Sequence, residues 1–109
     1  MKFETLRTFA NLPHIHRRTD GWREKMRDQA DKVHEEAGEL MVESKSYIDA
    51  VLAGEDDWLM AQCRAAMVDE IADVVQSLAN LCECMEVTDY ELIKAVEACD
   101  AKNAIRGRF

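Results

Sequence analysis

The stretch Lys32-Val33-His34-Glu35-Glu36-Ala37-Gly38-Glu39-Leu40 puts three carboxylates into five positions of a helix-favouring segment. A helix turns about 100° per residue, so Glu36 and Glu39 share one face, one turn apart. A second stretch, Val68-Asp69-Glu70-Ile71-Ala72-Asp73-Val74-Val75, repeats the device with Glu70 and Asp73. Both pairs adjoin apolar positions, the second lying among Met67, Ile71 and Val74. Like charges one turn apart repel, weakly in water and strongly when buried. Four acids beside a core therefore call for a cation. An all-oxygen donor set suits a hard ion, Mg²⁺ first and Mn²⁺ as a substitute.

A solvated acidic face is the competing explanation for either pair alone. The spacing of the two pairs weighs against it. Glu39 lies 15 residues before Gly54, and Glu70 lies 16 residues after it. If the chain folds back at Gly54, the two pairs come level. A di-iron carboxylate centre would need Glu-x-x-His on two helices, and no glutamate here has a histidine three residues later. His34 lies about 160° around the helix from Glu36 and cannot join its site. Cys63, Cys82, Cys84 and Cys99 form no C-x-x-C pair and read as small buried hydrophobes, not zinc ligands.

The elements that must position these acids are all helical. Phe3, Leu6 and Phe9 fit a short helix, and Asn11 to Arg18, containing Pro13, reads as a loop. Thr19 or Asp20 can cap a long helix over 20–53. Its expected stripe is Met26, Ala30, Val33, Ala37, Leu40, Met41, Ser44, Ile48 and Val51, closed by Gly54. Glu55-Asp56-Asp57 opens a second main helix over 56–86. That helix is apolar on two sides. One carries Met60, Met67, Ile71, Val74, Leu78, Leu81 and Met85; the other carries Val68, Ala72, Val75, Ala79 and Cys82. Two apolar sides in so short a chain point to a subunit interface. Thr88-Asp89-Tyr90-Glu91 has capping-box spacing and starts a helix over 88–104, with Leu92, Ile93, Val96 and Cys99 as its expected buried side. The fold class is all-α: one domain over 1–109, an antiparallel bundle of about four helices assembled as a homodimer or homotetramer.

The chain of 109 residues is 48% hydrophobic and 33% charged, the profile of a folded domain. A net charge of −8 argues against a nucleic-acid polymer as partner. No apolar run is long enough for a bilayer and no secretory leader is visible, so the expected location is the cytoplasm, without a membrane partner.

Glu35-Glu36-x-x-Glu39 followed by Glu70-x-x-Asp73 resembles the E-E-x-x-E … E-x-x-D signature of the MazG-like all-α nucleoside triphosphate pyrophosphohydrolases. That superfamily also holds dimeric dUTPases and phosphoribosyl-ATP pyrophosphohydrolases. Asp69 to Val74 looks like its D-E-x-x-D-V segment, and Lys102-Asn103-x-x-Arg106-Gly107 looks like its C-terminal K-N-x-x-R-G. The likeness runs from about Trp22 to Arg108. It departs in one respect: 30 residues separate Glu39 from Glu70, slightly more than is usual there.

The resemblance implies Mg²⁺ held by Glu36, Glu39, Glu70 and Asp73, a nucleoside triphosphate substrate, and attack of water on the α-phosphorus. The products are a nucleoside monophosphate and pyrophosphate, in house-cleaning or pool control. Glu35, Glu36 and Glu39 form the implied catalytic group, with Glu35 orienting the water or acting behind the ligands. Lys102, Asn103 and Arg106 are candidate phosphate partners, Arg106 through its planar fork. Lys32 can reach the phosphates or pair with Glu36, and Asn80 can contact base or ribose. His14, His16, Arg17 and Arg18 read first as a surface loop, and Trp22 and Trp58 as packing residues. Two other functions stay open: a non-catalytic nucleotide-binding or helical interaction module with a structural metal, and a fold whose acids are only a solvated face.

Overall fold

The computed structural model describes residues 21–107. The expected helix at Phe3–Phe9 and the loop at 11–18, with His14, His16, Arg17 and Arg18, lie outside them. The described residues form three helices and no strand: α1 Trp22–Leu52, α2 Asp57–Cys84 and α3 Asp89–Ile105. The all-α class is as expected, and each helix boundary falls within two residues of its expected place. Among these residues no helix is long and apolar enough to cross a membrane.

The start of α1 differs from expectation. Gly21 takes the N-cap with φ 75°, and no side chain caps the helix. Glycine reaches that left-handed conformation without steric cost, so the chain turns into the helix at Gly21; Thr19 and Asp20 lie outside the described residues. At the other end Gly54 adopts φ 66°. The Glu55 amide then donates to the Ala50 carbonyl (3.1 Å) and the Gly54 amide to that of Val51 (3.1 Å). This double closure satisfies carbonyls that α1 leaves open and reverses the chain. Asp56 caps α2 by accepting from the Leu59 amide at 2.8 Å. Replacing Asp56 by alanine is expected to cost about 1 kcal/mol, read as a lower melting temperature, with Asp56→Asn retaining most of it.

α1 and α2 pack as an antiparallel hairpin. The half-buried and buried residues of α1 include Trp22, Met26, Gln29, Val33, Glu36, Leu40, Glu43, Tyr47 and Ala50. Their steps alternate four and three. On α2 the matching row is Met60, Cys63, Met67, Glu70, Val74, Ser77, Leu81 and Cys84. These are the seven-residue repeats of side-by-side helices interlocking at a shallow angle. Within each seam one set of positions is wholly apolar (Met26, Val33, Leu40, Tyr47; Met60, Met67, Val74, Leu81). The alternate set carries Gln29, Glu36, Glu43, Glu70 and Ser77.

The expected stripes were therefore right at Met26, Val33 and Leu40 of α1 and at Met60, Met67, Val74 and Leu81 of α2, and about one residue off at the positions between. Ala30, Ala37, Met41, Ile48 and Val51 of α1 are exposed, as are Ile71 and Leu78 of α2 and Met85 at its C-cap. Each helix has two apolar rows, and apolarity alone does not say which one faces the neighbour.

α3 has its capping box: the Glu91 amide donates to Thr88 Oγ1 (3.2 Å) and the Thr88 amide to Glu91 Oε2 (3.3 Å). It packs only marginally on the other helices. Leu92 and Ile93 are half-buried, whereas Val96 and Cys99, expected inside, are exposed. Capping makes a helix locally but supplies no apolar burial to dock it. The described residues of one chain thus form a two-helix hairpin with an appended helix.

Candidate metal centre

Glu36 and Glu70 sit on the polar sets of their seams. Because α1 and α2 run antiparallel from the turn at Gly54, these positions come level across the hairpin. Asp73 lies one turn beyond Glu70, about 60° back around the axis and toward solvent. A carboxylate oxygen from each of Glu36, Glu70 and Asp73 falls within 4.8 Å of the others. Glu36 is only 7% exposed, Glu70 is half-buried and Asp73 is exposed. The three acids thus run from the helix seam outward, which leaves an open side.

Two observations separate this cluster from a solvated acidic face. Oε2 of Glu36 and Oε2 of Glu70 are buried without any hydrogen-bond partner. Buried polar atoms normally have one, and an unpaired carboxylate oxygen is costly. The electrostatics agree. Burial pushes the Glu70 carboxyl above the ordinary carboxylate range, reinforced by the charges of Glu39, Asp73, Glu36 and Glu43. The Glu36 charge, with partial loss of water, does the same to Glu39. Glu39 is exposed and lies outside the closest three, but its charge acts on the same group.

Lys32 is the one cation found against these acids among the described residues. Its Nζ stands 2.8 Å from Glu36 Oε1 and 3.4 Å from Glu35 Oε1. The hydrogen bond to Glu36 and the charges of both glutamates raise the Lys32 pKa above its ordinary value. Glu35 is exposed and turned outward, so it touches Lys32 and not the cluster. Asn80, half-buried two turns beyond Asp73, accepts a hydrogen bond from Gln76 Nε2 at 2.9 Å.

The remaining candidates are not brought to the acids. Lys102, Asn103 and Arg106 belong to the end of α3, which barely touches the hairpin. Asn103 Nδ2 instead contacts Cys99 Sγ at 3.5 Å. Trp58 is 71% exposed at the start of α2 and packs on little. Cys84 fits the buried-hydrophobe reading: it is buried, and burial raises its thiol pKa.

One acid was missed from the sequence. Glu43 is half-buried seven residues after Glu36, in the same seam row, and its charge acts on Glu70. Gln29, seven residues before Glu36, also has a buried, unpartnered Oε1. The signal was the seven-residue recurrence Gln29, Glu36, Glu43, which a search for pairs three apart passes over.

No protein-family model, curated protein or solved structure matches this chain.

Proposed function

We propose that the protein is a cytoplasmic, Mg²⁺-dependent nucleoside triphosphate pyrophosphohydrolase of MazG-like type, working as a homo-oligomer. The observation that carries the metal reading is the pair of buried, unpartnered oxygens on Glu36 and Glu70 inside an acidic group open on one side. A hard cation is what such a donor set fits. Glu36, Glu39, Glu70 and Asp73 would hold it, with Mn²⁺ able to substitute. Such an ion supplies charge neutralisation on phosphate oxygens and a more acidic bound water.

The chain's own groups do the rest. Glu36 and Glu70, fixed by packing in the seam, set the position of the centre, and the exposed Asp73 and Glu39 present its solvent side. Lys32 places its own ammonium charge beside Glu36, where a phosphate oxygen can be met. Glu35 secures Lys32, which favours the role behind the ligands over direct contact with water. Asn80 offers an amide for base or ribose on the same helix. The reaction is hydrolysis of the α–β phosphoanhydride to a nucleoside monophosphate and pyrophosphate.

The test is pyrophosphate release across a panel of common and damaged nucleoside triphosphates with Mg²⁺. Release from at least one, lost on chelation, is expected. A folded, Mg²⁺-loaded sample inactive on all of them removes the catalytic reading. The placement of Lys102, Asn103 and Arg106 away from the acids favours a second reading, a non-catalytic nucleotide-binding module with a structural metal. Calorimetry separates the two: tight nucleotide binding without turnover supports the module.

A further inference from the structure

Gln29, Glu36 and Glu43 recur every seven residues on α1, and seven residues bring a helix back to within about 20° of the same direction. Gln29 therefore sits in the seam as Glu36 does, about 10 Å nearer the start of α1. On α2, Ser77 stands seven residues after Glu70, about 10 Å along the axis. The helices run oppositely, so Gln29 and Ser77 come level as Glu36 and Glu70 do. Lys32 on α1, and Asp73, Gln76 and Asn80 on α2, each stand one position before a seam residue. They turn to the side of the hairpin on which the acids open.

Gln29 Oε1 is buried and has no hydrogen-bond partner. Ser77 across the seam is 2% exposed and does not supply one, because its hydroxyl donates to the Val74 carbonyl at 2.8 Å. A buried acceptor left unpaired is costly, and native structures leave few of them. On Glu36 and Glu70 the same defect falls on carboxylates and calls for a cation. On Gln29 it falls on a neutral amide oxygen, which calls for an N–H donor.

We infer that Gln29 determines nucleotide specificity: its Oε1 accepts a hydrogen bond from an N–H on the edge of the base, while the phosphates lie at the acids. This rests on the nucleotide site proposed above. A base edge that carries no N–H leaves the Gln29 oxygen unpaired in the complex and binds more weakly, since a buried polar group built to be paired rejects an analogue that cannot pair it.

Order and chemistry along the hairpin select this ligand. From the acids toward the start of α1, charged groups give way to amides. Lys32, whose Nζ is 2.8 Å from Glu36 Oε1, stands between the acids and the level of Gln29, where a phosphate leads into a sugar. Gln76 and Asn80 flank the level of Ser77 and are half-buried. Gln76 Nε2 donates to Asn80 Oδ1 at 2.9 Å, so Asn80 has its Nδ2 hydrogens to offer a ligand. An ion and an ammonium group suit phosphates; a neutral acceptor beside a neutral donor suits the edge of a base, which carries both kinds of group. A nucleoside 5′-phosphate is long enough to span the distance from Glu36 to Gln29.

The test is calorimetric binding to the Mg²⁺-loaded full chain. The probes are α,β-methylene nucleoside triphosphates, which resist cleavage at that bond, and inorganic tripolyphosphate as a base-free control. Gln29→Leu is expected to weaken the best-bound nucleotide about 10-fold and to leave tripolyphosphate unchanged. A second measurement needs no variant. In the unaltered protein, the counterpart of that nucleotide without an edge N–H (purine riboside for a purine, pyrimidin-2-one riboside for a pyrimidine) is expected to bind about 10-fold more weakly. Equal weakening of tripolyphosphate overturns the inference, because Gln29 then serves only the ion site. Unchanged nucleotide affinity in Gln29→Leu overturns it by giving the Gln29 oxygen to a water, and equal binding of the donor-free counterpart overturns it as well. A chain that binds no nucleotide more tightly than tripolyphosphate loses the base site altogether. Turnover plays no part in these readings, so nucleotide binding in the expected pattern without pyrophosphate release fails the hydrolase reading alone.

Discussion

Glu36→Gln is expected to raise the melting temperature of the metal-free protein while abolishing both its Mg²⁺ response and its turnover. Glu36 is 7% exposed, and its Oε2 has no partner. The uncompensated burial of a charged oxygen costs about 1–3 kcal/mol, and the neighbouring Glu39 and Glu70 add repulsion. Against this stands the ion pair with Lys32. That lysine is 49% exposed and can be resolvated, so losing the pair costs less than about 1 kcal/mol. Relief of the buried charge is the larger effect. A net gain of about 1 kcal/mol corresponds to roughly 5 °C in a domain of this size.

The same amide is a poor ligand for a hard cation. The Mg²⁺-induced rise in melting temperature, which any ligand of the native state alone must produce, disappears. Pyrophosphate release falls by roughly 100-fold or more. Thermal scans with and without Mg²⁺, run beside the activity assay, read all three effects. A metal-free Glu36→Gln protein that melts lower than wild type, or that keeps the Mg²⁺ response, excludes Glu36 as the strained ligand of an ion site.

In the metal-free protein, stability is expected to fall as pH rises above the ordinary carboxylate range, and Mg²⁺ is expected to reverse the trend. The sign follows from Glu70 and Glu39, whose folded-state pKa values lie above the ordinary 4.5. A group that binds its proton more tightly when folded contributes its stability in full below the unfolded pKa. That contribution is lost as pH rises through the folded pKa. For Glu70 the main cause is burial, and for Glu39 it is the charge of Glu36.

Other acids titrate in the same window, so the quantity to measure is the difference between wild type and Glu70→Gln. The wild-type melting temperature should decline relative to the variant from pH 4.5 upward. With Mg²⁺ present it should gain on the variant over the same range, because the cation binds the deprotonated oxygens. Parallel pH profiles for the two proteins would show that the cluster stores no such repulsion.

Much of the local structure was legible in the residues. Gly54 with Asp56 and Thr88 with Glu91 mark helix ends by chemistry that acts over three or four residues, and those ends fall where the sequence puts them. The meeting of the two acidic stretches was legible in part: the count to Gly54 set Glu39 level with Glu70, whereas Glu36 is the residue that joins Glu70 and Asp73, with Glu39 outside the closest three. Counting residues to a turn brings the stretches level once two helices are antiparallel, but the rotation of each helix decides which acid faces across. The buried rows were harder. On α1 the most apolar stripe, through Ala37, Met41 and Ile48, is the one left outside, and the seam accepts Gln29, Glu36 and Glu43.

The sequence by itself determined the helices, the caps of α2 and α3, the reversal at Gly54 and the two acidic pairs, because each depends on spacing along one chain. Tertiary structure decided what depends on the neighbour across the seam. It set which of two apolar rows faces inward, that one oxygen each of Glu36 and Glu70 is buried without a partner, that Glu43 joins their field, and that the basic end of α3 stays apart. Helical periodicity fixes the angles between side chains on one helix, but the rotation of that helix about its axis is set by packing against the other.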